Sequence, residues 1–254
     1  MNYSNSFSVK KPLLTIVLIE LMLIIFVAGG SAYISIAELT HPLAPFFGFI
    51  PITLFLLIYL TIKKQWNRYY FNSLSKLSKR QWIEYIPLLL ILIVLLIANN
   101  GFQSAPFSFF AYMLLSQIFL VGFVEETLFR GIMLRILMPR GKTVAIVSSS
   151  VLFGITHALQ ALSGQSLEDT ILQIVYAFIL GFVLAILVVR NGSIILTILF
   201  HGLHNFLNFT GNTPSTNLYT YLVLAILLLQ LLWLFISTKN NSSLPIKTNI
   251  ENSY

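Results

Sequence analysis

Three short polar islands interrupt this chain, and each carries residue types that can move protons. They are Glu125-Glu126 with Arg130, Phe153 with His157, and His201-Gly202-Leu203-His204-Asn205. A carboxylate such as Glu125, held beside a water molecule, can act as its general base, and an imidazole such as His157 can orient the carboxylate or share the water. His201 and the carboxamide of Asn205 can donate hydrogen bonds to the oxyanion that forms when water attacks a carbonyl, a dominant contribution in acyl transfer. No strong nucleophile accompanies them, because the chain has no cysteine and no Gly-x-Ser-x-Gly turn. It also lacks the His-Glu-x-x-His motif of zinc proteases, and Asp169 is its one aspartate, which leaves no aspartyl pair. Composition does not exclude a serine mechanism, but these residue types suggest hydrolysis by activated water, with a peptide carbonyl as the electrophile.

The spacing lets these groups meet. Glu126 and Arg130 are four residues apart, as are His201 and Asn205, and Phe153 lies one helical turn before His157, where its ring can wall off one side of the imidazole. At about 1.5 Å rise per residue, Glu125 lies roughly 21 Å from Pro139, His157 roughly 21 Å from Lys142, and His201 and Asn205 roughly 12 to 18 Å from Ser193. One layer can therefore hold all of them. Gly122, Gly131, Gly154 and Gly202 stand nearby, where small residues allow helices to approach closely.

The elements that must position these residues are membrane spans. The chain of 254 residues is 57% hydrophobic and 9% charged, with a mean hydropathy of +0.87, which is too apolar to build a water-soluble surface. Apolar runs long enough for helical spans recur over 13 to 37, 43 to 62, 82 to 98, 107 to 137, 143 to 160, 169 to 189, 193 to 209 and 218 to 237. The expected fold is all-α, a polytopic membrane helix bundle of about eight transmembrane helices, with seven as the alternative count. Residues 1 to 12 form a cytoplasmic amino terminus, 13 to 106 amino-terminal spans, 107 to 237 a catalytic core, and 238 to 254 a cytoplasmic polar tail. Lys10-Lys11 ahead of an apolar run resembles a signal peptide, but the run is too long and carries Glu20, so it reads as a retained first helix.

Charge placement fits an even number of spans. With the amino terminus inside, every Lys and Arg falls in cytoplasmic segments or in the cytoplasmic halves of spans: Lys10 and Lys11, the group from Lys63 to Arg80, the group from Arg130 to Lys142, Arg190, Lys239 and Lys247. The opposite loops hold Glu38, Glu168 and Asp169 and no base. The net charge of +7 thus reflects topology and contact with anionic lipid headgroups, and it calls for no nucleic-acid partner.

In that setting the first island is costly. An ionisable group near a helix centre costs roughly 2.5 to 3.5 kcal/mol on insertion scales, so Glu125, Glu126 and Arg130 together would cost on the order of 8 to 10 kcal/mol facing lipid. They must face protein or water. Glu126 and Arg130 read as a supporting pair, His204 and His41 as hydrogen-bonded core residues, and Glu20 as a group that bonds a neighbouring helix or snorkels. The same residues leave two other functions open: a proton-coupled transporter, in which intramembrane Glu and His relay protons, and a non-catalytic scaffold or immunity protein that binds a toxin or sensor kinase.

The ordered motifs Glu125-Glu126 to Arg130, Phe153 to His157, and His201 to Asn205 resemble those of the CPBP family, which includes type II CAAX prenyl proteases and bacterial bacteriocin-processing and self-immunity proteins. The resemblance covers roughly residues 110 to 210. It implies an intramembrane endopeptidase with a cavity open to the cytosol, catalytic residues Glu125, His157, His201 and Asn205, and supporting residues Glu126, Arg130 and Phe153. Members have been called metalloproteases, and Glu125, His157 and His201 could hold zinc with water in the open position. Asn205, a poor zinc ligand and a good oxyanion donor, favours a reaction without metal. A compact, cysteine-free chain rich in Ile, Leu, Asn and Lys suggests a bacterial plasma membrane, with a peptide or membrane-protein segment such as a bacteriocin or pheromone leader as substrate.

Overall fold

A computed structural model describes residues 10–158, 166–212 and 218–242. The polar tail expected beyond the last span lies largely outside the described residues. The described chain is helical: α1 (Pro12–Ile36), α2 (Phe49–Ile62), α3 (Lys79–Ala98), α4 (Phe107–Arg140), α5 (Lys142–Thr156), α6 (Leu167–Asn191), α7 (Ile195–Thr210) and α8 (Leu218–Ser242). Proline at the first turn starts α1, a Ser78–Gln81 capping box starts α3, and Ser166 caps α6.

Helices α1, α3, α4, α6 and α8 are long and apolar enough to cross a membrane. The 14 residues of α2 and 15 of α5 reach only about 21 to 22 Å, short of a hydrocarbon core of about 30 Å. Exposed side chains such as Leu18 and Ile25 of α1, Phe55 and Ile58 of α2, and Leu229 and Leu232 of α8 give the bundle an apolar outer surface, as lipid requires. This is a multi-pass membrane helix bundle.

Hydrogen bonds fix which helix ends share a face. On the face that carries the basic loops, Asn72 donates to Gly192 O (2.6 Å), Ser193 donates to Asn72 O (2.9 Å), and Ile194 N–H donates to Tyr70 O (2.9 Å). Arg190 there joins Glu84 to Ser237, tying the ends of α3, α6 and α8 together. On the far face, Asn99 donates to Leu207 O (2.6 Å) and Gln103 N–H to Thr210 O (2.9 Å). The two sets of loops therefore lie on opposite sides of the bundle.

Helix α7 presses against α4 at paired glycines. A Cβ on Gly202 would stand 2.7 Å from Ile118 Cα, and one on Gly122 would stand 3.0 Å from Ile198 O. This backbone approach brings His201 to the Glu pair. Gly202→Ala should therefore destabilise the fold by about 1 to 3 kcal/mol through overpacking. Gly29→Ala, in open space on α1, should change stability by no more than about 1 kcal/mol. Thermal unfolding in detergent compares the two, and equal effects would sink the close-approach argument.

Candidate active site

Glu125 and Glu126 sit on a four-residue α-helical segment, Phe123–Glu126, between two π-helical segments, Gln117–Gly122 and Thr127–Met133. The widening is visible in the bonds: Phe123 N–H donates to Ile118 O and Leu134 N–H to Phe129 O, each five residues back. Phe129 O also accepts from Ser149 Oγ of α5 at 2.9 Å. Such widened turns are rare and concentrate at functional sites.

The two carboxylates have separate surroundings. Glu126 and Arg130 are fully buried, and Arg130 NH1 donates to Glu126 Oε1 at 2.9 Å. The same oxygen lies 3.0 Å from His201 Nδ1. An ionised carboxylate only accepts, so Nδ1 carries the hydrogen and Nε2 is directed elsewhere. That nitrogen stands 3.6 Å from Glu125 Oε2, beyond hydrogen-bond length. His201 thus bridges the pair, one nitrogen clamped to Glu126 and the other facing Glu125. A Cβ on Gly181 would meet Arg130 NH2 at 3.0 Å, so α6 supplies a glycine where the guanidinium needs room.

Phe153 joins the islands. Arg130 lies over its ring at 3.9 Å from the centroid, while the rings of His157 and His201 meet it edgewise at 4.6 and 5.8 Å. The α-helical part of α5 ends at Thr156, so His157 stands at its carboxyl end in a 3-10 turn; the last residues of the span expected to reach 160 lie outside the described residues. A helix end leaves carbonyls without partners, and His157 Nδ1 satisfies one by donating to Phe153 O at 2.7 Å. Its Nε2 is left as an acceptor.

Glu125, Phe153, His157, His201 and Asn205 line one cavity of about 690 Å³. The four residues assigned catalytic roles by motif thus come together, while Glu126 and Arg130 lie behind the wall. The amino-terminal helices, which carry no motif, supply apolar wall residues Leu23, Val27, Phe49 and Leu95. Among the described residues, no group of three or more His, Cys, Asp or Glu is placed to hold a metal ion. Glu125, His157 and His201 do not converge as a zinc set.

Other residues divide differently. His204 is buried and bonds Tyr176 Oη at 2.5 Å with the rings stacked, the structural role expected of it. His41 was expected in the core but is exposed, because it lies in the loop between α1 and α2, where its Nδ1 accepts from Leu43 N–H. Glu20 does bond a neighbouring helix: Thr156 Oγ1 donates to its Oε2 at 3.1 Å, one residue before His157. Sequence reasoning missed Gln117, which is fully buried, lines the cavity, and has no hydrogen-bond partner for either amide atom among the described residues. Its only signal was a carboxamide two turns before Glu125 within an apolar run.

A family model described as type II CAAX prenyl endopeptidase Rce1-like matches residues 107–207. The match covers about two fifths of the chain. The Rce1-like segment runs from the start of α4 to the last turns of α7 and contains all three motifs, in agreement with the resemblance read from them. No curated protein and no solved structure matches the chain. The cluster of buried Glu126 and His201 with the partly exposed Glu125 is consistent with the catalytic residues of an intramembrane protease.

Removing the guanidinium should expose the energetics of the pair. Arg130→Met leaves a buried carboxylate without its cation and should destabilise by about 3 to 5 kcal/mol. Adding Glu126→Gln should recover at least half of that loss in thermal unfolding. A single variant as stable as the parent would show that the pair is not an energetic unit.

Proposed function

We propose that the protein is an intramembrane endopeptidase that cleaves a peptide bond with water activated by Glu125, without a metal. The observation that carries this reading is the meeting of Glu125, His157, His201 and Asn205 on one cavity wall, with His201 fixed from behind by Glu126. Glu125 takes a proton from water as the water oxygen bonds to the scissile carbonyl carbon. His157 Nε2 accepts the second hydrogen of that water, and Asn205 donates to the oxyanion. As the tetrahedral intermediate collapses, the C–N bond breaks and Glu125 returns its proton to the leaving amine. The Glu126–Arg130 pair fixes the His201 ring through Nδ1–H. A neutral His201 then has no N–H left for the oxyanion, so the donor role expected of it falls to Asn205, and its Nε2 faces Glu125 across 3.6 Å.

The reading includes eight membrane crossings, with α2, α5 and α7 as short spans, and a multi-pass protein in a bacterial plasma membrane with both termini cytoplasmic. The substrate is a peptide or membrane-protein segment, for which a bacteriocin or pheromone leader, or a self-immunity role, is the family-based suggestion. A proton-coupled transporter would need a polar route continuing past Glu126 toward the basic face. That stretch of α4 instead packs Phe129, Met133, Leu134 and Leu137 at no more than 2% exposure.

Glu125→Gln and His157→Ala should each lower cleavage by about 10²- to 10⁴-fold, and Asn205→Ala by about 10²- to 10³-fold, with unfolding midpoints near the parent's. Cleavage of a reporter peptide by purified protein in detergent measures this. Native rates for Glu125→Gln would overturn the chemistry, and a scaffold function would show as cellular protection kept by Glu125→Ala. Stoichiometric zinc on elemental analysis, with chelator inactivation reversed by zinc, would overturn the metal-free mechanism.

A further inference from the structure

The cavity opens on one face of the bundle, and the charges identify that face. The cavity floor lies at mid-depth, at Glu125, Leu180 and His201, and from there the lining runs toward the helix ends remote from the basic loops: Leu23 and Val27 from the middle of α1 outward, Phe49 at the start of α2, Leu95 and Ala98 at the end of α3, and Met113 and Gln117 early in α4. The remaining helices agree, with His157 just past the end of α5, Asp169 and Gln173 at the start of α6, Asn208 and Phe209 at the end of α7, and Tyr219 and Thr220 at the start of α8. The floor is buried, as at Phe153 and His201, and the rim is exposed, as at Pro45, Asp169, Asn208 and Phe209. On the other side lie Lys63, Lys64, Arg68, Arg140 and Lys142, and the far-side loops contain no Lys or Arg at all.

A cytosolic opening and cytoplasmic basic loops therefore cannot both hold for this chain. The bias of Lys and Arg in short loops sets orientation, and here it is complete. We propose that the cavity takes its substrate from the extracytoplasmic face, so that the substrate is an exported or membrane-anchored polypeptide presenting an apolar segment on that side. The walls fit such a segment: they are chiefly apolar, and their carboxylate and imidazole lining residues are Glu125, Asp169, His157, His201 and His204, with no Lys or Arg. Asp169 at the rim adds a preference for a basic residue on the part of the segment that stays outside. The inference rests on the peptidase reading for the word substrate, but the side of opening is independent of it.

The natural absence of cysteine makes the test direct. Asn212→Cys on the far-face loop and Lys63→Cys or Lys142→Cys on the basic face, all at exposed positions, are reacted with a membrane-impermeant maleimide in intact cells. Asn212→Cys should label without permeabilisation, and the other two only after it. The reverse pattern overturns the inference while leaving the peptidase intact. A bulky impermeant maleimide added outside cells should also slow reporter cleavage at least tenfold in Phe209→Cys and leave Lys142→Cys unchanged. Full activity of labelled Phe209→Cys would overturn access through this rim. Labelling as expected with no cleavage of any reporter would instead remove the peptidase reading and keep the orientation.

Discussion

The buried ion pair between Glu126 and Arg130 is the constraint around which the rest of the structure is arranged. Both side chains are wholly withdrawn from solvent, and removing two charges from water carries a penalty of several kcal/mol per ion that only good geometry offsets. The compensation is shared among three other helices. Phe153 of α5 offers its ring face to the guanidinium, His201 of α7 donates to the carboxylate, and Gly181 of α6 leaves the space. A pair that needs so many neighbours fixes those neighbours in turn.

That dependence explains how a site for mobile protons is built on rigid elements. His201 could rotate freely on an isolated helix, but the Glu126 contact on Nδ1 and the edge of Phe153 hold its ring so that Nε2 faces Glu125. His157 is held differently, by the carbonyl its own helix leaves free at its end. The two imidazoles thus present their other nitrogens with defined roles, and neither orientation depends on a bound ligand. The widened turns of α4 on both sides of the Glu pair belong to the same design, since they flank the segment in which Glu125 opens onto the cavity and Glu126 enters the wall behind it.

Much of this was legible from residue types and spacing. The intramembrane charges demanded partners on energetic grounds, and the i to i+4 spacing of Glu126 and Arg130 named one of them, found at 2.9 Å. Glycines near the polar islands pointed to close approach, and Gly122 and Gly202 provide it. Three features resisted. The change from α-helix to a tighter turn after Thr156 was hidden because Leu152 to Ala158 contains no Pro and its Gly154 lies inside the helix. Gln117 went unnoticed, because burial and aim are properties of neighbours rather than of the residue. His41 was judged by type alone, and a loop position leaves an imidazole exposed.

The sequence by itself determined the solvent and which residues could do chemistry. An apolar chain with few charges has to be a helix bundle in lipid, since only helices or closed barrels satisfy the backbone there, and the charges it does bury have to be functional or paired. One-sided placement of Lys and Arg is likewise a property of the linear chain. Tertiary structure alone decided which carboxylate reaches the cavity and which is locked behind it, because adjacent residues on a helix point in different directions and only packing says what lies in each. It alone also decided that the cavity opens away from the basic loops, since that follows from which ends of the helices diverge, and no local pattern records it.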